Sequence, residues 1–195
     1  MDKPTPSNTA VIVIDTQRQF CDPKSGRGSE ETKATAERIQ SILPAFREAG
    51  IPVYFVAFVP PGQSMSRFSP YGFYGAEPDR ARDTVLTKTS ESAFQQTRLA
   101  DILRKNGHEN LLLVGFNKSS CVAATAADAS RNGFKPRILK DLCADDRAAA
   151  AENQKHGIAK KWLAQNGVPE IESKSALSYL KHAPAAPGAR KPPRP

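Results

Sequence analysis

Three residues in this chain could do chemistry together: an acid, an amine and a thiol. Asp15 follows the apolar run Ala10–Ile14, Lys88 closes the stretch Thr84–Lys88, and Cys121 comes shortly after Leu111–Gly115, at the start of an alanine-rich segment. Cysteine attacks as thiolate, and a free thiol with a pKa near ~8.5 is only a few per cent ionised at neutral pH. A helix N-terminus and a nearby ammonium lower that pKa, and Lys88 can supply the ammonium. Asp15 can take the thiol proton and later return it to a leaving amine. Free backbone N–H groups in the loop before Cys121 can hold an oxyanion. The chemistry is acyl transfer from a small carbonyl compound. It requires residues far apart in the chain to meet, which is a demand on the secondary structure.

The hydrophobic pattern meets that demand. Ala10–Ile14 and Pro52–Val59 are continuous apolar runs, as in strands buried on both faces of a parallel sheet. Ser29 before Glu30 and Glu31 marks a helix start. Ala36, Ile39, Ile42, Leu43 and Phe46 recur at helical spacing, and Gly50 ends the element. Further strands are expected at Thr84–Lys88, Leu111–Gly115, Pro136–Lys140 and Val168–Glu172. Helices are expected at Thr97–Lys105, Cys121–Arg131, Arg147–Gln165 and Ser175–Leu180. Such alternation predicts a doubly wound α/β fold with helices on both faces of a parallel sheet. Ligands bind beyond the carboxyl ends of such strands, where Asp15, Lys88 and Cys121 all fall. Residues 60–83 are rich in proline and glycine, have no period, and read as a long functional loop. Phe68, Tyr71, Phe73 and Tyr74 in it suit a lid or a contact between copies.

Composition narrows the class. The chain has 195 residues, 39% hydrophobic and 25% charged, which is one globular domain. Its net charge is +8, but without residues 181–195 the balance is 24 basic against 20 acidic residues, or +4. Nucleic-acid binding is therefore disfavoured, although a basic-tailed binder is a remote alternative. Cys21, Cys121 and Cys143 form no C-x-x-C pair, which argues against disulfides and a thiolate zinc site. Residues 1–8 are a polar N-terminal extension without an apolar leader, and no run is long enough for a membrane span. A cytoplasmic protein is expected, with a domain over 9–182 and a disordered, basic, proline-rich tail over 183–195.

The local sequences add a family resemblance over roughly residues 9–180. Ala10-Val-Ile-Val-Ile-Asp-Thr-Gln-Arg-Gln-Phe20 resembles the D-x-Q-x-x-F opening of the isochorismatase-like cysteine hydrolases. Lys88-Thr-Ser-Glu-Ser-Ala-Phe94 is similar to their lysine block. Gly115-Phe-Asn-Lys-Ser-Ser-Cys-Val-Ala-Ala-Thr-Ala-Ala-Asp-Ala129 resembles their nucleophile block, and Asp141-Leu-Cys-Ala-Asp145 the stretch that follows it. The resemblance implies a six-stranded parallel sheet of order 3-2-1-4-5-6 and a triad of Asp15, Lys88 and Cys121. It also implies a cis peptide between Phe116 and Asn117 that turns the Asn117 and Cys121 amides toward an oxyanion. Phe20 would line the substrate pocket, with Gln17 beside it. The implied activity is hydrolysis of a small amide, ureide or N-carbamoyl compound through a thioester, without a cofactor, in a homo-oligomer.

Two departures bear on that expectation. The threonine usual three residues before the cysteine is Lys118, which could lower the thiol pKa, contact an anionic substrate or face solvent. The nicotinamidase metal motif is missing, since Phe58–Phe68 holds no histidine and His108, His156 and His182 are scattered, so no metal is expected. His156 matches a family histidine and is expected to pack rather than react. Isochorismatase-type vinyl-ether hydrolysis, with Asp15 as acid and no covalent step, and a non-catalytic binding role remain as alternatives.

Overall fold

The computed structural model describes residues 3–156, 163 and 167–183. Its strands are β1 (Thr9–Ile14), β2 (Val53–Phe58), β3 (Thr84–Lys88), β4 (Asn110–Gly115), β5 (Lys135–Cys143) and β6 (Glu170–Ile171). Its helices are α1 (Arg18–Cys21), α2 (Glu30–Glu48), α3 (Leu99–Lys105), α4 (Ala123–Arg131), α5 (Arg147–His156) and α6 (Ser173–His182). All strand pairings are parallel, in the order β3-β2-β1-β4-β5-β6. This is the doubly wound sheet, and the strand order, that the sequence and its resemblance imply. The described residues include no helix long and apolar enough to cross a membrane.

The central strands are apolar on both faces because helices cover both. Ala10, Ile12 and Ile14 of β1 face one core with Leu99 and Leu103 of α3 and Ala126 of α4. Val11 and Val13 face the other, with Ile39, Leu43 and Phe46 of α2 and Leu180 of α6. This is the two-residue alternation of a strand used twice, once per face. Edge strand β3 differs. Its first four residues are exposed or half-buried, and only Lys88, at its carboxyl end, is buried.

The loops are anchored by polar contacts. The Ser29 hydroxyl accepts from Thr32 N–H and caps α2, and Gly50 follows α2 with φ 75. Asp83 closes the long loop through its ion pair with Arg47 of α2, at 2.5 Å and largely buried. Three of the loop aromatics are anchored in place. Phe73 stacks edge-on against Phe55 at 5.4 Å, Tyr74 lies under the Arg18 guanidinium, and the Tyr71 carbonyl accepts from Gln17. Only Phe68 stands out from the surface, 87% exposed. Residues 3–8 are stitched to the sheet rather than extended from it. The Asn8 carbonyl accepts from Glu109 N–H, and its side-chain oxygen from Asn110. The expected tail lies outside the described residues from 184 onward, as does most of the expected helix beyond His156.

Gly115 lets β1 and β4 close together at the site. Its φ is 118, and a Cβ there would sit 2.0 Å from the Ile14 carbonyl oxygen. Relief would require moving the strand end that precedes Asp15. Gly115→Ala is expected to lower unfolding free energy by about 3 kcal/mol or more, read from urea denaturation. A loss below about 1 kcal/mol would mean the strands part without difficulty.

Candidate active site

Each site residue is placed by the end of a different strand. Asp15 leaves β1 in the left-handed region, with φ 54, a conformation that aspartate tolerates better than most residues but at some strain. That turn aims its carboxylate at β2, where Phe58 N–H donates to Oδ1 at 2.9 Å. Lys88 brings its ammonium in from the β3 edge and is 1% exposed. Its ammonium has three partners: it is ion-paired to Asp15 Oδ2 at 2.8 Å, and it donates to the Ser90 carbonyl at 3.0 Å and to Cys121 Sγ at 3.4 Å. Phe58 adds its ring face, 5.3 Å from the ammonium. Although the Lys88–Asp15 contact is short, Asp15 Oδ2 meets no donor at a hydrogen-bonding angle. That oxygen retains capacity to accept the thiol proton.

Cys121 lies within a π-helical turn over Lys118–Val122, in which Val122 N–H reaches back to the Asn117 carbonyl. The helical geometry therefore begins before Cys121, where the sequence places the start of the helix, and α4 follows from Ala123. Such wide turns recur at functional sites because they displace side chains from regular spacing. The peptide between Phe116 and Asn117 is cis, as the resemblance implies. Two aspartates hold the segment from behind. Asp145 accepts from Ser119 N–H and Oγ, both at 2.8 Å. Asp146 accepts from Asn117 Nδ2 at 3.2 Å while its own N–H donates to Asn117 Oδ1 at 2.7 Å. Asp146 is also ion-paired to Arg27 at 2.7 Å.

The electrostatics correct one expectation. Burial pushes the Cys121 thiol up to about 12, the Asp15 carboxylate pushes the same way, and the Lys88 ammonium opposes them only in part. Cys121 thus rests as a thiol, not as the thiolate that an ammonium neighbour suggests. Burial also raises Asp15, while Lys88 and the thiol pull it back. A raised carboxylate is a better proton acceptor, which suits Asp15 to take a proton from a neighbouring thiol. Asp15→Asn should therefore shift iodoacetamide alkylation of Cys121 to lower pH, and Lys88→Met should shift it higher. Peptide mass spectrometry across pH reads both, and an unchanged profile in Asp15→Asn would contradict the arrangement.

Four other residues have different surroundings from those expected. Gln17 is fully engaged in the frame. Its Nε2 donates to the Phe58 and Tyr71 carbonyls, and its Oε1 accepts from Phe58 N–H. It positions β2 and the long loop, with both of its amide protons committed there. The Phe116 ring is wholly buried in the core, so only its backbone reaches the site. Phe20 is covered by the Arg27 guanidinium, 5.0 Å from its ring. Lys118 turns away to pair with Glu170 of β6 at 2.6 Å. Asn117 stays at the site and lines a cavity of about 620 Å³ with Arg27, Glu91, Ser119, Ser120 and residues of α4 and α5. Cys121, 9% exposed, does not itself line this cavity, although its neighbour Ser120 does. The sequence signal for Asp145 and Asp146 was their place just after β5. Nothing local pointed to Arg27.

The doubly wound sheet gathers a buried acid, ammonium and thiol beyond the carboxyl ends of β1, β3 and β4. The Isochorismatase domain model matches residues 9–169, and the chain belongs to the isochorismatase family, a family of hydrolases. It is 26% identical to the uncharacterized isochorismatase family protein YddQ of Bacillus subtilis, over 89% of this chain and 99% of that protein. It is 27% identical to maleamate amidohydrolase of Pseudomonas putida, over 89% and 87% of the two chains. A cysteine hydrolase structure from Pseudomonas syringae pv. phaseolicola superposes with a TM-score of 0.77 at 22% identity, covering 93% of this chain and 99% of that one.

Proposed function

We propose that the protein is a cysteine-dependent amidohydrolase that cleaves a small amide, ureide or N-carbamoyl compound through a thioester. The observation that carries this reading is the buried Lys88 ammonium, 2.8 Å from Asp15 Oδ2 and 3.4 Å from Cys121 Sγ. Its contact with both leaves the carboxylate facing a thiol that only needs to lose its proton when a carbonyl arrives. Cys121 attacks the carbonyl carbon as Asp15 takes the thiol proton. The Asn117 and Cys121 amides receive the oxyanion. Asp15 then protonates the leaving nitrogen, and ammonia or an amine departs. Water cleaves the thioester and restores the thiol.

The likeness to a maleamate amidohydrolase supports the amide class. The test is ammonia release from a panel of maleamate, other monoamides, ureides and N-carbamoyl amino acids. Turnover of at least one compound, lost in Cys121→Ala, is expected. No turnover of any, with a thiol that alkylates like free cysteine, would oppose the reading.

A further inference from the structure

Cys121 has a hydroxyl and a carboxylate nearby in addition to the acid and ammonium at the strand ends. Ser120 Oγ lies 3.8 Å from Cys121 Sγ and 3.3 Å from Glu91 Oε1. Ser120 and Glu91 both line the cavity, whereas Asp15 and Lys88 do not. The serine hydroxyl has one proton, so it donates to the sulfur or to the carboxylate, not to both. Glu91 is held in register with the buried charges because the intervening Ser90 carbonyl binds the Lys88 ammonium at 3.0 Å. An exposed carboxylate thus lies one hydroxyl away from the Cys121 sulfur.

We propose that Glu91, acting through Ser120, accepts the proton of the water that hydrolyses the thioester on Cys121. The inference rests on the reading that Cys121 is acylated. The two half-reactions make different demands. Acylation moves a proton off a buried thiol, and Asp15 stands beside that thiol, fully buried. Deacylation begins with water, which arrives from the cavity and meets Ser120 and Glu91 there. One water proton passes to Glu91 as the water oxygen bonds to the acyl carbon. The carbon–sulfur bond breaks, and its electron pair goes to Sγ, facing the Lys88 ammonium. The carboxylic acid product gives its proton to the thiolate and leaves as carboxylate, and Glu91 releases its proton to solvent. Thioester and water become carboxylate, thiol and one proton.

The test uses the full chain with p-nitrophenyl acetate, which acetylates a reactive cysteine and reports the event as nitrophenolate. Glu91→Gln should leave the burst of nitrophenolate unchanged while slowing loss of acetyl from the Cys121 peptide on the order of 10²-fold. Ser120→Ala should slow the same step. Hydroxylamine, which attacks without a base, should restore turnover of Glu91→Gln to near the wild-type rate. A purely structural role for Glu91 would lower burst and decay together and would not be rescued. If Glu91→Gln loses acetyl at the wild-type rate, the inference is overturned while the acyl-enzyme stands. If no acetyl reaches Cys121 in any form of the protein, the nucleophile reading fails and this inference with it.

Discussion

Cys121→Ala is expected to lose amide hydrolysis by on the order of 10⁴-fold or more while keeping its fold. The thiol has no substitute in the site. The other groups within reach are the Lys88 ammonium, already engaged with Asp15, Ser90 and Cys121, the Asp15 carboxylate, held by Phe58 and paired with Lys88, and the Ser120 hydroxyl, a far weaker nucleophile than a thiol. Without Sγ no thioester can form, and the remaining contribution is binding and oxyanion contact. Removing one sulfur from a site next to a cavity leaves the surrounding cores in place, so circular dichroism and urea midpoint should change little. The ammonia-release assay reads the loss directly. Isochorismate turnover that survives Cys121→Ala and disappears in Asp15→Asn would instead make Asp15 the acid of a vinyl-ether hydrolase.

Lys88→Met is expected to have the largest effect on stability. The variant keeps the length of the side chain but leaves Asp15, which is fully buried, with Phe58 N–H and no counterion. Breaking one side of a buried pair costs about 3–5 kcal/mol. The sign with pH follows from the carboxylate. Its folded pKa already lies above the ordinary carboxylate value because burial disfavours the charge, and the ammonium that opposed this is removed. A carboxyl raised in the folded state binds its proton more tightly there than in the unfolded chain. Its protonated form favours folding, so stability is highest at low pH and is lost as pH rises through the folded pKa. Urea denaturation at about pH 5 and about pH 8 should therefore show a larger deficit at the higher value. An equal deficit at both would mean that Asp15 does not carry the cost.

Much of this was legible in the chain because parallel sheets write their pattern locally. The runs around β1 and β2 could only be strands covered on both faces. Ser29 and Gly50 bracket α2 to within about two residues, since capping chemistry is short-range. The strand ends then told where Asp15, Lys88 and Cys121 would stand. What escaped depended on distant partners. β5 runs to Cys143, past the expected end at Lys140, because a register shift lets Cys143 pair with Gly115. The four-residue α1 is too short to have a period. Gln17 looked available for substrate until the Phe58 and Tyr71 carbonyls, 41 and 54 positions away, claimed its amide. Phe20 looked like a pocket wall, but Arg27 covers it. The ammonium beside Cys121 suggested a thiolate, and only the depth of burial reverses that conclusion.

The central claim is a covalent bond between substrate and Cys121. Its most direct test is acid quenching of the wild-type protein during turnover of the best amide in the panel, followed by peptide mapping. The account predicts the acyl group on the Cys121 peptide alone, discharged by hydroxylamine and absent from Cys121→Ala. Rapid turnover with no acyl group on that peptide at any quench time would contradict it.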